Sequence, residues 1–97
     1  MRVEKLADEV HESFVDICLF TFCDECSYNK VAPSCVVWYA YDYLSNNGYL
    51  KESELSKDEV CNLFYRKTDN ETMRFSSLLI YRFIKYLNSC GYLKGVE

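Results

Sequence analysis

Proline occurs once and glycine three times in this chain of 97 residues, which excludes a collagen-like or Pro/Gly-rich disordered organisation and disfavours a turn-rich β protein. With nine Tyr and six Phe to bury, the economical use of the chain is helix. Long apolar runs are missing too. The longest, Val15 to Phe22, is broken by Asp16, and a membrane span needs roughly eighteen apolar residues. The opening Met1-Arg2-Val3-Glu4-Lys5-Leu6-Ala7-Asp8-Glu9 is charged and periodic, unlike a signal peptide, so a soluble cytoplasmic protein is expected, in the host cytoplasm if its source is viral. Histidine occurs once, as His11, and no spacing gives it a nucleophilic or metal-ligating partner. A phosphate-binding Gly-rich loop, a His-Glu-x-x-His run and a nucleophile elbow are all lacking. Carboxylates such as Asp16, Asp24 and Glu25 are too numerous for any two to stand out as an acid–base pair. The expectation is a binding protein without catalytic groups, cofactor or evident small-molecule substrate.

Cysteine, by contrast, is plentiful. Without an export signal the six thiols read as reduced. Cys23-Asp24-Glu25-Cys26 has the spacing with which two thiolates chelate Zn²⁺ or close on each other, and Cys18 and Cys35 flank it. Cys18, Cys23 and Cys26 also match by spacing three ligands of a plant-type iron–sulfur site, but that site lies in a loop and Cys18 falls on a helix. A second chelating pair is missing. Cys18 and Cys61, as repeat equivalents, both fit small buried hydrophobes, and no metal is expected.

The chain states one pattern twice. Tyr43-Leu44-Ser45-Asn46-Asn47-Gly48-Tyr49-Leu50-Lys51 returns forty-three residues later as Tyr86-Leu87-Asn88-Ser89-Cys90-Gly91-Tyr92-Leu93-Lys94. The same shift pairs Ser34 with Ser77, Val37 with Ile80 and Trp38 with Tyr81, and sets Ser13–Cys18 against Ser56–Cys61. Two units, about 13–51 and 56–94, therefore fill a single domain of residues 1–97.

Within this frame, Val3, Leu6, Val10, Phe14, Ile17 and Cys18 recur at helical spacing and predict an amphipathic helix from Val3 to about Phe22. Asp24 to Lys30 reads as a loop. Pro33 suits the first turn of a second helix reaching about Asn47 and stopped by Gly48. Ser56-Lys57-Asp58-Glu59 is a capping box that opens a third helix through about Lys67. A fourth spans about Thr72 to Ser89 and stops at Gly91.

A helix closing on Leu-x-x-x-Gly-Tyr-Leu-Lys resembles the junction between recognition helix and wing in winged helix-turn-helix DNA-binding proteins. The resemblance covers Ser56 to Val96 best and Ser13 to Lys51 less closely. It implies a mainly α fold of four helices in two tandem helix-turn-helix-like repeats, with Tyr49–Lys51 and Tyr92–Lys94 pairing as a small wing or ribbon. With the sequence ending at Glu97, no returning wing strand is expected after the second segment.

Charge divides the units. Residues 1–59 hold five basic and twelve acidic side chains, and residues 60–97 six and three. On the fourth helix Phe75, Leu79, Ile80, Phe83, Tyr86 and Leu87 share one side; Arg74, Ser77, Tyr81, Arg82, Lys85 and Asn88 share the other. Cations beside a hydroxyl and an amide suit a helix laid against DNA or RNA, and Arg66 and Lys67 would add phosphate contacts. The plain reading is a solvated face, or one salt-bridged to the acidic first helix. In the first unit the equivalent face carries Val31, Ser34, Trp38, Tyr39, Asp42 and Ser45. Its cations are gone, and Trp38 and Tyr39, with Asp42, suit a protein partner or a homodimer unless they pack inside the monomer. A regulatory nucleic-acid-binding protein is the first expectation. The alternative is a protein-directed inhibitor or adaptor, similar in size and charge to the small phage and viral proteins that block host machinery, anti-CRISPR proteins among them. Its acidic helical face, Glu4, Asp8, Glu9, Glu12 and Asp16, would imitate spaced phosphates in a basic channel of a host protein.

Overall fold

Among the described residues four helices form: α1 (Val3–Phe20), α2 (Cys35–Asn46), α3 (Lys57–Lys67) and α4 (Ser76–Ser89). The computed structural model describes residues 1–20, 22, 24–26, 28, 35–51, 56–67 and 76–96, and Pro33 and Thr72, expected near two helix starts, lie outside them. The Ser56 half of the expected capping box is present at α3, with the Glu59 amide donating to Ser56 Oγ at 3.2 Å. Asp58 and Glu59 in its first turn, and Arg66 and Lys67 in its last, complement the helix dipole.

Helices α2 and α4 end in the same way. Gly48 and Gly91 take φ of 76° and 78°, a left-handed conformation that side chains with a Cβ resist. The Tyr49 amide donates to Leu44 O and the Tyr92 amide to Leu87 O, both at 2.9 Å. Gly48 and Gly91 donate to Ser45 O and Asn88 O at 3.2 and 3.1 Å, which completes a Schellman motif at each end.

These caps aim the two Tyr-Leu-Lys segments at each other. Leu50 and Leu93 form an antiparallel bridge, flanked by Lys51 N–H to Tyr92 O at 2.8 Å and Lys94 N–H to Tyr49 O at 2.7 Å. A shift of forty-three residues turns each of these bonds into the other, so the bridge carries a local two-fold relation between the units. The segments pair across units as a single bridge. Among the described residues there is no β-strand, and neither unit builds a wing of its own.

Packing also crosses between units. Helix α1 lies chiefly along α4, while α2 touches α1, α3 and α4. Leu79, Ile80, Phe83 and Leu87 are buried as the α4 wheel predicts, together with Ile84, and they meet Leu6, Val10, Val37, Ala40 and Leu44. Helix α3 adds Val60, Cys61 and Phe64, whose ring stands edge-on to Phe83 at 5.0 Å. The far end of α1 departs from expectation. Phe14 is half-buried against Tyr39 at 5.5 Å, but Ile17, Cys18, Leu19 and Phe20 are exposed, and among the described residues no helix covers the last turns. Cys18 is thus no counterpart of the buried Cys61.

Candidate nucleic-acid interface

The exposed side of α4 and the end of α3 enclose an open groove of roughly 490 Å³ lined by Phe64, Lys67, Leu78, Tyr81, Arg82, Lys85, Tyr86 and Ser89. Helical spacing explains its composition. Residues 78, 81, 82, 85 and 89 fall along one flank of α4, and the last turn of α3 supplies Lys67 beside them. Among the described residues, three cations and no carboxylate line the groove. Arg82 and Lys85 are exposed, and aromatic rings lie beneath: Lys67 Nζ sits 5.6 Å from the Tyr86 ring centre, and Lys85 Nζ 6.0 Å from that of Tyr81. Tyr86 also packs on Phe64 at 5.6 Å, and burial, aided by nearby Cys90, raises its phenol pKa, so the ring stays neutral. Chemically the groove offers positive charge at the edge and flat apolar surface below.

Of the residues expected to contact nucleic acid, the groove gathers Lys67, Arg82 and Lys85. Ser77 is exposed and Asn88 half-buried, but neither lines it. Arg66 lies in a separate depression whose other lining residues are Asp58, Glu59, Asn62 and Leu63, two of them carboxylates. Arg74 lies outside the described residues. Leu78, Tyr86, Phe64 and Ser89 were missed, because a wheel drawn for one helix does not reveal a groove made by two.

Of the residues expected to bind a protein partner, Trp38, Tyr39, Asp42 and Glu9 make contacts within the chain, while Glu12 and Asp16 are exposed. Tyr39 is 6% exposed, so its outward placement is corrected: its hydroxyl meets Ser13 Oγ and its ring packs among Phe14, Tyr28 and Tyr43. Asp42 is half-buried, ion-paired with Lys57, and accepts a bond from the Tyr28 hydroxyl at 2.8 Å. Burial and that bond push the Tyr28 phenol up to about 12. The Lys57 ammonium stands 4.2 Å from the ring centre of half-buried Trp38 and about 6 Å from those of Tyr28 and Tyr41. Lys57 is thus the centre of an aromatic cage that ties α3 to α2 and to the segment holding Tyr28. The signal was Asp42 itself, a lone acid among aromatics that needed a cation.

Glu9 also turns inward, accepting from the Tyr49 hydroxyl at 3.2 Å and bonding Tyr43, whose phenol is pushed up to about 12 by burial and by that carboxylate. Glu4, Asp8, Glu12 and Asp16 remain exposed along α1, the last two beside His11 and Val15.

Burial raises the Cys35 thiol pKa, and nearby Cys26 and Cys18 raise it further, so these three cysteines share one neighbourhood. Cys23, the other half of the expected pair, lies outside the described residues, and among those described no group of three or more His, Cys, Asp or Glu is placed to hold a metal ion. Among them, too, no helix is long and apolar enough to cross a membrane.

Comparison with known protein families, curated proteins and solved structures finds no match to this chain.

Proposed function

We propose that the protein is a non-catalytic, regulatory nucleic-acid-binding protein of the cytoplasm. Its second unit contacts nucleic acid through Lys67, Arg82 and Lys85, and its first unit serves a protein partner or a second copy. The observation that carries this reading is the charge of the α3/α4 groove, where among the described residues three cations meet no carboxylate although the chain as a whole is net −4. Phosphate attraction scales with such contacts, and a carboxylate among them would cancel part of it. On this reading the units are two helix-turn-helix-like repeats, and the bridged Tyr-Leu-Lys segments stand where winged proteins carry a wing. Three cations make a modest site, so a homodimer presenting two grooves would multiply affinity.

The test is a salt titration of labelled DNA and RNA with the reduced protein, alongside a measurement of its mass in solution. Binding should weaken steeply with salt, and Arg82→Glu with Lys85→Glu should abolish it while Glu12→Lys leaves it nearly unchanged. Salt-independent binding, or none near 50 mM salt, would count against the reading.

A second reading keeps one observation in its favour. Glu4, Asp8, Glu12 and Asp16 recur every fourth residue along the exposed face of α1, about 6 Å apart along its axis. This spaced acidic stripe suits an inhibitor, of phage or viral type, that occupies the basic channel of a nucleic-acid-binding host protein. Charge reversal at Glu12 and Asp16 would then abolish function, and reversal at Arg82 and Lys85 would not.

A further inference from the structure

We infer that the α3/α4 groove takes unpaired nucleotides, with bases laid on its aromatic floor and phosphates on its cations, so that the ligand is single-stranded nucleic acid rather than duplex. This inference rests on the nucleic-acid reading above and specifies its substrate class.

The argument is geometric. A helix reads duplex by protruding into a major groove about 12 Å wide, with base-reading side chains at its crest and phosphate contacts on both flanks. Here Arg82 and Lys85 belong to a concavity that α3 completes with Lys67, and the ligand must enter the protein. Paired and stacked bases offer such a concavity only their phosphates. Leu78, which is 38% exposed, and the half-buried Tyr81 and Tyr86 would then lie under a charged backbone with nothing apolar to cover them. An unpaired base has a π face that fits this floor, and its phosphate reaches cations only a ring's width away, since Lys85 and Lys67 stand within about 6 Å of the Tyr81 and Tyr86 ring centres. Aromatic floor and cationic edge together are the two components of sequence-tolerant single-strand binding. Tyr81 is the better stacking residue, because Tyr86 already packs on Phe64. Residues 78 to 89 extend about 17 Å along α4, so each groove accommodates a short stretch of strand.

The experiment compares four labelled ligands of equal length at several salt concentrations: a DNA strand, an RNA strand of the same sequence, the DNA duplex and an abasic DNA strand. The strands should bind on the order of tenfold more tightly than the duplex or the abasic strand. The log–log salt slope should be about −2, the value for three phosphate contacts on a single strand. Tyr81→Ala should cost on the order of tenfold for base-bearing strands and little for duplex, while Tyr81→Phe retains binding. Should Tyr81→Ala fail to fold, the abasic comparison on the unaltered protein decides. Whichever of the DNA and RNA strands binds better identifies the natural source, and either supports the inference. Duplex or abasic strand bound as tightly as the base-bearing strands, and lost with Arg82→Glu and Lys85→Glu, would overturn single-strand binding yet leave the nucleic-acid reading standing. Absence of salt-sensitive binding to all four would overturn both.

Discussion

Lys57 joins a carboxylate and three aromatic rings through one ammonium group. Its ammonium holds Asp42 by charge and Trp38 by the ring face, and Asp42 in turn holds the Tyr28 hydroxyl. The ion pair is only partly screened, with side chains 24% and 32% exposed. Exposed ion pairs are worth roughly 0–1 kcal/mol and comparable cation–π contacts about 0.5–1. Lys57→Met should therefore lower stability by about 1 kcal/mol. Asp42→Asn should cost a similar amount, because Lys57 loses its counter-charge and a single amide oxygen replaces the two carboxylate oxygens that serve Lys57 and Tyr28. The two effects share one contact, so the double variant should be destabilised by less than their sum. Urea unfolding followed by the emission of Trp38, the sole tryptophan, checks this, and strictly additive costs would show that the pair is not coupled.

At the scale of elements, the repeated Gly cap sets where α2 and α4 stop and where the chain goes next. A Cβ added at Gly48 or Gly91 meets no atom within 4 Å, so the cost of alanine there is the left-handed backbone alone. Gly48→Ala and Gly91→Ala should each destabilise by about 1–2 kcal/mol, and Asn, which tolerates this conformation, by less. Thermal melts of the four variants test it; equal losses for Ala and Asn would argue for a steric cause. These caps were legible because they are local: Leu-x-x-x-Gly-Tyr contains every atom of the motif. So was the buried side of α4, which is packed through Leu79, Ile80, Phe83 and Leu87. The α1 wheel was as regular but misled at Ile17 and Cys18. A wheel gives angular position and not the point along the axis where a partner ends, and here the full burial stops at Val10. Tyr39 was misplaced for a related reason, since Phe14 and Tyr28 cover it from elements far away in sequence. In the candidate site Arg82 and Lys85 could be read from one helix, whereas the floor of Leu78, Tyr86 and Phe64 exists only once α3 and α4 meet.

For the whole molecule, the units of the repeat are not units of stability. Val3, Leu6, Ala7 and Val10 are buried on α1, whose main neighbour is α4 of the other unit, and Leu50 bridges Leu93. Chain 1–51 alone would lose α4 from beside α1, and chain 56–97 would keep only α3 and α4, of 11 and 14 residues. Isolated helices shorter than about 12–15 residues are marginal in water, and the Phe64–Phe83 contact gives that pair little else to bury. Each fragment should show weak helical circular dichroism, and an equimolar mixture should recover helix in a concentration-dependent way as the shared core reforms. A fragment that melts cooperatively by itself near the temperature of the intact chain would refute this interdependence. The consequence reaches the groove: α4 is held from behind by α1, so Lys67, Arg82 and Lys85 come together only when the acidic first unit is in place. Excess fragment 1–51 added to fragment 56–97 should then restore nucleic-acid binding in parallel with helicity, although the added fragment is itself strongly acidic.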